Sequence, residues 1–291
     1  MFYQCSKIKV MAEFTGEVVQ RWLYPIKGMG GFEVPPEQPL ELDEYGVAGS
    51  RRWMVVDDDG KMMNSKRGGV EDLLYIRPTQ AGSNSFVLGD EVEVTLGGEG
   101  RSFATEVYQD GMRGIETTPR ASAWLNHYLG MSGLHIIEFD ASFGRQIHPE
   151  KTWKGDAPRA FVDGAQVHAI NQATADLAAL KWGPAAADVR RERPDFVYTA
   201  KARVEDNWQL GQRALVGDAI LGRPRPLDRC PLPTRDPDDP SAPSTKELSR
   251  MFKEDFGAVT PQSDDIRACF GTGFDIVEAG LIRHQAKLII I

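Results

Sequence analysis

The sequence predicts a mixed α/β fold that is mostly β, with a strand-rich first domain and a second half in which strands alternate with short helices. The chain has 291 residues, of which 41% are hydrophobic and 26% are charged, a composition typical of a globular chain that can bury a full core. From about residue 16 to 108, apolar and polar residues alternate between turn residues, as in an antiparallel sheet. A polar loop at 141–159 is a candidate junction between two domains.

Capping signals predict three helices. A helix start favours Ser, Thr, Asp or Asn just before it and Pro at its first position, and a helix end favours Gly. The signals are Thr118, Pro119 and Gly130 for the first helix, Asn171 for the second, and a capping box of Ser244 with Glu247 ending at Gly257 for the third. We expect a strand at 73–78, and we expect 223–239 to be a loop, because it is too rich in proline for a central strand.

Composition also excludes several classes of function. A net charge of −8 argues against nucleic acid as a partner, because phosphate backbones attract basic surfaces. The longest apolar stretches are too short for a membrane span, and the N-terminus lacks the pattern of a signal peptide, with Met11 as a second candidate start. Three widely spaced cysteines, Cys5, Cys230 and Cys269, predict free thiols in a reducing compartment, hence a cytoplasmic protein.

Basic residues form separate clusters in this acidic chain. They are Arg51 with Arg52, then Arg190, Arg191 and Arg193, then Arg223, Arg225 and Arg229. If the fold brings them together, they make an anion site. Lys27 lies in a glycine-rich turn that can approach a phosphate, but taken alone this stretch is better explained as a plain turn between strands. The five histidines show no zinc-binding spacing, and the acidic runs do not continue as calcium loops.

Cys230 is the most distinctive residue of the proline-rich loop. Neighbouring arginines favour the thiolate, the form that binds soft metals or attacks electrophiles, whereas Asp228 opposes it. An incidental loop thiol remains the alternative. Cys269 has apolar neighbours, and we interpret it as structural.

Several short motifs occur in an order that resembles a known family. In chain order they are YPIKGMGGFEV, GSRRWMVVDDDGKMMNSKR, ERPDFVY, VEDNW, LVGDAILG, DRCPLPTRDPDD and a late FG. From about Val18 to Leu288, the chain resembles the MOSC-domain molybdenum proteins that carry an N-terminal MOSC beta-barrel domain, a group that includes the mitochondrial amidoxime-reducing component and its bacterial relatives. The resemblance implies an N-terminal barrel domain at 12–135 and a MOSC barrel domain with short helices at 136–291.

The resemblance also implies a molybdenum cofactor, Mo-molybdopterin, held between the two domains; we expect no pyridoxal phosphate. Cys230 stands where the family has its metal-ligating and catalytic cysteine, and a thiolate is a soft ligand that suits molybdenum. The implied cofactor-binding residues are Lys27, Gly28, Arg51, Arg52, Thr174, Arg193, Asp195, Asp228 and Arg229. Gly28 replaces the family's usual Ser and Asp195 its usual Asn, and each change removes a neutral donor near the anion.

The expected reaction is a two-electron reduction of an N-hydroxylated small molecule. The sequence has neither a cysteine set for an iron–sulfur cluster nor a nicotinamide-binding fingerprint, so the electrons are expected to come from a separate protein. The alternative is a sulfur carrier or cofactor-binding module in which Cys230 holds a persulfide and no redox turnover occurs.

Overall fold

The structure, a computed structural model, describes residues 13–64, 70–82, 85–89, 91–146, 157–260 and 263–291. Cys5, Met11 and His148 lie outside the described residues. The first ten strands are β1 (Glu13–Leu23), β2 (Ile26–Lys27), β3 (Phe32–Glu33), β4 (Leu40–Asp43), β5 (Gly46–Val47), β6 (Trp53–Val56), β7 (Thr79–Gly82), β8 (Ser85–Leu88), β9 (Val92–Thr95) and β10 (Ser102–Val107). The later strands are β11 (Asp110–Glu116), β12 (His135–Phe139), β13 (Val167–Asn171), β14 (Phe196–Ala200), β15 (Arg213–Val216), β16 (Ala219–Asp228), β17 (Ala258–Thr260), β18 (Ser263–Arg267), β19 (Cys269–Glu278), β20 (Leu281–Ile282) and β21 (Lys287–Ile290).

Helices are few in the described part of the chain. The α-helices are α1 (Pro119–Leu129), α2 (Gln172–Trp182) and α3 (Lys246–Glu254). Short 3-10 helices cover Glu71–Tyr75, Pro184–Ala186, Val189–Glu192, Val204–Asn207 and Leu232–Thr234. None of the described helices is long and apolar enough to cross a membrane.

Seven strands close into a barrel in the order β14, β13, β19, β16, β15, β21 and β1, and pairing of β1 with β14 completes the ring. The prediction of a mixed, mostly β fold is therefore confirmed. Six of these strands come from the second half of the chain, whereas β1 comes from its beginning. The barrel encloses an apolar core that includes Val18, Val167, Phe196, Leu221 and Phe274.

A second sheet, in the order β10, β11, β12, β6 and β2, packs with α1 around another apolar core. Its strand β12 pairs with β6 through Ile137 and Met54, so this sheet continues past residue 135. The division of the chain at residues 135 and 136 stays a prediction.

Two of the three predicted helix starts have the expected caps. Thr118 accepts a hydrogen bond from the backbone of Arg120 at 3.3 Å, and Gly130 ends α1 in the left-handed conformation. The side chain of Asn171 caps α2 by accepting from Ala173 at 3.2 Å. The capping box predicted at Ser244 is wrong. The N-cap of α3 is Thr245, which makes no capping side-chain bond.

Two other local predictions are also wrong. Residues 73–75 of the strand expected at 73–78 lie instead in the 3-10 helix Glu71–Tyr75. Residues 223–228 of the proline-rich segment belong to β16, which lies between β15 and β19 inside the barrel. The pairing of β16 with β19 shifts register between Gly222 and Arg225 and again between Pro226 and Asp228. A bulge interrupts the regular hydrogen bonding between two strands, so a proline, which has no backbone N–H, is tolerated there.

His135 links two carboxylates at the edge of the second sheet. Its Nδ1 lies 2.8 Å from Glu116 and its Nε2 lies 2.9 Å from Asp58. Burial lowers the pKa of His135, but the hydrogen bonds to Asp58 and Glu116 outweigh it, and the net pKa lies above its usual value. The charged imidazole therefore stabilises the fold.

We expect this stabilisation to depend on pH. A histidine whose pKa is raised by folding contributes fully below its unfolded value of about 6.5 and loses that contribution as pH rises through the folded pKa. The contribution should be less than about 1 kcal/mol, because Asp58 is largely exposed. Urea unfolding of wild type and His135→Gln on both sides of neutral pH measures it. The exposed His127→Gln variant is the control, and an equal pH dependence in all three proteins would contradict the prediction.

Candidate functional site

Three cations from separate segments meet where the second sheet joins the barrel. Lys27 ends β2, Arg51 lies just before β6, and Arg193 follows the 3-10 helix Val189–Glu192. The guanidinium of Arg51 donates to the carbonyl oxygen of Arg193 at 2.8 Å. Both guanidinium groups lie over the ring of Tyr24, at 5.3 and 4.8 Å from its centroid. We call Lys27, Arg51 and Arg193 the cation cluster.

Two carboxylates neutralise part of this charge. Lys27 pairs with Asp163, and Arg51 pairs with Asp195 at 2.7 Å. Asp195 is 1% exposed, and its second oxygen accepts from the backbone of His168 at 2.8 Å. Both oxygens of Asp195 are therefore used within the protein, and its proposed contact with a cofactor stays a prediction.

Arg193 makes no ion pair with any described residue. Its Nε is buried and has no hydrogen-bond partner among the described residues. Burial, together with the nearby charge of Arg51, lowers the pKa of Arg193 to about 10. A buried cation in this state favours a bound anion, because each contact would be charge-assisted.

The backbone of the cluster is unusual. Arg51 and Arg193 have positive φ angles of 52° and 56°, which are uncommon for residues other than glycine. Gly28 has a φ of 90°, a backbone conformation that residues with a Cβ atom rarely adopt. There is room for a side chain, because an added Cβ would lie 3.6 Å from its nearest neighbour, so the backbone conformation is what favours glycine. Backbone strain of this kind is concentrated at functional sites in proteins.

The Cys230 loop lies beside this cluster. Cys230 is a free, half-buried thiol, and a thiolate there would attract the buried guanidinium of Arg193. Its neighbour Arg229 pairs with the buried Glu192 at 2.8 Å, and the backbone of Arg229 donates to Ala268 at 2.7 Å. These contacts place the Cys230 loop next to the segment that carries Arg193.

Arginines from two segments fix the rest of the loop. Arg191 donates to the carbonyl of Arg235 at 2.5 Å and pairs with Asp236 at 2.7 Å. Arg77, which lies before β7, donates to the carbonyl of Pro237 at 2.7 Å. Prolines and ion pairs together hold the loop in place.

Three predicted cofactor residues use their side chains elsewhere. Arg52 pairs with Asp43, Thr174 donates to Glu205 at 2.7 Å, and Asp228 lies beside Arg267 and Cys269. Arg223 and Arg225, which we expected to stabilise a Cys230 thiolate, both pair with Asp275. The structure thus brings Lys27, Arg51, Arg193 and Asp195 together and links Arg229 to the adjacent Glu192, whereas Arg52, Thr174 and Asp228 contact other residues.

His168 belongs to the site although sequence reasoning set it aside. It is 6% exposed, and its Nε2 is buried without a hydrogen-bond partner among the described residues. Burial lowers its pKa well below the usual value, and the charges of Arg229 and Arg51 act in the same direction. His168 is therefore neutral at physiological pH. All five residues of β13 are buried. A histidine within such an apolar strand was a clue to a special role, whereas its spacing from other histidines was not.

Comparison with known proteins shows which protein families this chain resembles. Residues 15–132 match the family model described as the MOSC N-terminal beta barrel domain, which confirms the resemblance seen in the sequence. The chain is 26% identical over 239 residues to "Mitochondrial amidoxime reducing component 2" of Rattus norvegicus, covering 77% of this chain and 68% of that protein. It is 24% identical over 280 residues to "Molybdenum cofactor sulfurase" of Anopheles gambiae, covering 87% of this chain but only 35% of the sulfurase.

A second sulfurase, from Drosophila melanogaster, is 25% identical over 169 residues, which cover 54% of this chain and 20% of that protein. Among solved structures, that of the YuaD protein from Bacillus subtilis covers 96% of this chain and 98% of its own, with 12% identity and a TM-score of 0.42. Residues 15–132 are thus similar to the MOSC N-terminal barrel domain. The curated relatives include amidoxime reducing components and molybdenum cofactor sulfurases, so a role connected with the molybdenum cofactor is supported.

The cluster predicts different effects for two arginine substitutions. Arg51→Met leaves the buried Asp195 without its cation, and breaking such a pair costs about 3 to 5 kcal/mol of unfolding free energy. Arg193→Met removes an unpaired buried charge, so we expect the free energy of unfolding to stay within about 1 kcal/mol of wild type or to rise. Urea unfolding of protein purified without cofactor measures both. A larger loss for Arg193→Met than for Arg51→Met would contradict this account.

Proposed function

We propose that the protein is a molybdenum-cofactor-dependent oxidoreductase that reduces N-hydroxylated small molecules. The observation that carries the proposal is the unpaired Arg193 guanidinium beside the free Cys230, in a cation cluster drawn from distant segments. The similarity to the amidoxime reducing component supports the same chemistry.

The residues of the site fit an anionic cofactor that brings its own metal ligands. Lys27, Arg51, Arg193 and Arg229 would hold the pterin phosphate, and Cys230 would add one thiolate to the metal. The described residues contain no group of three or more His, Cys, Asp or Glu that could hold a metal ion, so the remaining ligands would come from the cofactor. When bound, the cofactor would supply two-electron redox chemistry at the N–O bond.

The proposed reaction converts a hydroxylamine-type N–O group, two electrons and two protons into an N–H group and water. The N–O bond breaks, an N–H bond forms, and the oxygen leaves as water. Electrons would come from a separate reductase protein, because the chain has only three cysteines and no nicotinamide fingerprint. Arg193 and Arg51 would orient the cofactor, while neutral His168 would add no further positive charge to the site. The free thiols favour a cytoplasmic location.

Substitution of Cys230 tests this proposal. Cys230→Ser replaces a soft thiolate by a hard hydroxyl of similar size, so we expect loss of N-hydroxylated substrate reduction and a changed metal absorption spectrum. Cys269→Ser is the matched control, and it should keep the spectrum and lose stability only. Both proteins are expressed with ample molybdenum, and metal and pterin are quantified first. Well-folded wild type without molybdenum or pterin, or an unchanged spectrum in Cys230→Ser, would overturn the proposal.

A second candidate function is sulfur transfer through a persulfide on Cys230. The similarity to two molybdenum cofactor sulfurases favours it, although this chain matches only 20% and 35% of their lengths. In this case Arg193 would stabilise the persulfide anion instead of a pterin phosphate. Mass spectrometry separates the two functions. One added sulfur atom at Cys230 without bound pterin supports the carrier, and an unmodified thiol with stoichiometric molybdenum excludes it.

A further inference from the structure

A separate cavity of about 230 Å³ lies between the barrel and the segments that follow β13, β14 and α3. It is smaller than the pockets of about 300 to 1,000 Å³ that hold drug-sized ligands, so it suits a molecule with a single ring. Its lining includes Asn171, Thr174, Glu205, Trp208, Phe256 and Phe270. None of the residues of the cation cluster lines it.

Most charged residues of the lining already have partners of opposite charge. Asp206 pairs with Arg203 at 2.6 Å, and Asp255 pairs with Lys181 at 2.7 Å. Arg225 pairs with Asp275 at 2.9 Å outside the cavity. These pairs leave one lining carboxylate to consider.

Glu205 has no cationic partner among the described residues. Its oxygens accept from neutral donors, among them the amide of Asn171 at 3.0 Å and the hydroxyl of Thr174 at 2.7 Å. Burial raises the pKa of Glu205, while these two hydrogen bonds oppose the shift. A carboxylate that is desolvated in this way gains from any cation that enters the cavity.

Three aromatic side chains form the apolar part of the lining. Phe270 is buried, and Trp208 and Phe256 are half-buried. Trp208 is held by stacking on Tyr198, with 5.9 Å between ring centroids. Aromatic rings attract cations and also bury flat apolar groups.

We propose that this cavity binds a small organic cation, with its charged group against Glu205 and its apolar body against Trp208, Phe256 and Phe270. An inorganic cation fits less well, because it needs several oxygen ligands and the described residues offer no group of three metal-binding side chains. Thr174, which the sequence suggested as a cofactor residue, instead helps to hold Glu205. The site is independent of the proposed redox function.

Benzylammonium is a suitable probe, and benzyl alcohol is its neutral counterpart of nearly the same shape. Binding to the purified full-length chain, without added molybdenum, is measured by calorimetry or by chemical-shift titration. We expect benzylammonium to bind at least tenfold more tightly than benzyl alcohol. Glu205→Gln should remove this preference, while the exposed Glu247→Gln variant should keep it.

Two further measurements separate charge from shape. Phe256→Leu keeps Glu205 and should weaken both probes by a similar factor. Benzylammonium binding to wild type should fall as pH drops through the raised pKa of Glu205, whereas Glu205→Gln should show no such fall. Melting temperatures confirm that each variant is folded.

Equal binding of the two probes, full benzylammonium affinity in Glu205→Gln, or displacement of benzylammonium by potassium ions alone would overturn the proposal. Cys230→Ser should bind benzylammonium as wild type does. A negative result for benzylammonium binding therefore does not bear on the molybdenum-dependent function. Likewise, a protein without molybdenum can still be tested for benzylammonium binding.

Discussion

The ion pair between Arg51 and Asp195 is the interaction on which the arrangement of the site depends. Asp195 is 1% exposed, and a carboxylate so deep is stable only when it is paired and fully hydrogen-bonded. Arg51 supplies the charge, and the backbone of His168 supplies a further donor. The backbone of Asp195 accepts from Trp22 of β1 at 2.8 Å. One residue thus joins the second sheet, the barrel and the first strand.

The position of β1 explains why the site forms between parts that are distant in sequence. β1 pairs with β14 on one side and β21 on the other, and so closes the barrel built by the second half of the chain. The chain then passes directly into β2 and Lys27. Closure of the barrel therefore determines where the first cation of the cluster lies relative to Arg193. A domain boundary at a single position in the sequence does not describe this pairing of β1 with the strands of the second half.

The sequence predicted those features that depend on neighbouring residues and missed those that depend on distant ones. Caps at Thr118 and Asn171 are local, and both formed. The prolines of β16 were interpreted as a loop because the bulges that accommodate them depend on pairing with β19. Basic clusters were visible, but their partners were not. Arg52 is neutralised by Asp43, and Arg225 by Asp275, whereas Arg193 has no such partner among the described residues.

The two described cysteines have opposite electrostatic surroundings, and the register between β16 and β19 determines this difference. Burial raises the pKa of Cys269 to about 12, and Asp228, whose carboxylate lies 3.7 Å from that sulfur, adds to the shift. Pairing of Asp228 with Cys269 across β16 and β19 turns this negative charge toward the structural thiol. Cys230, two residues later, lies beside the unpaired Arg193 instead. The strand register therefore directs the Asp228 carboxylate toward Cys269, where it helps to keep that thiol protonated. The same register turns this carboxylate away from Cys230, where the sequence alone had suggested that it would oppose a thiolate.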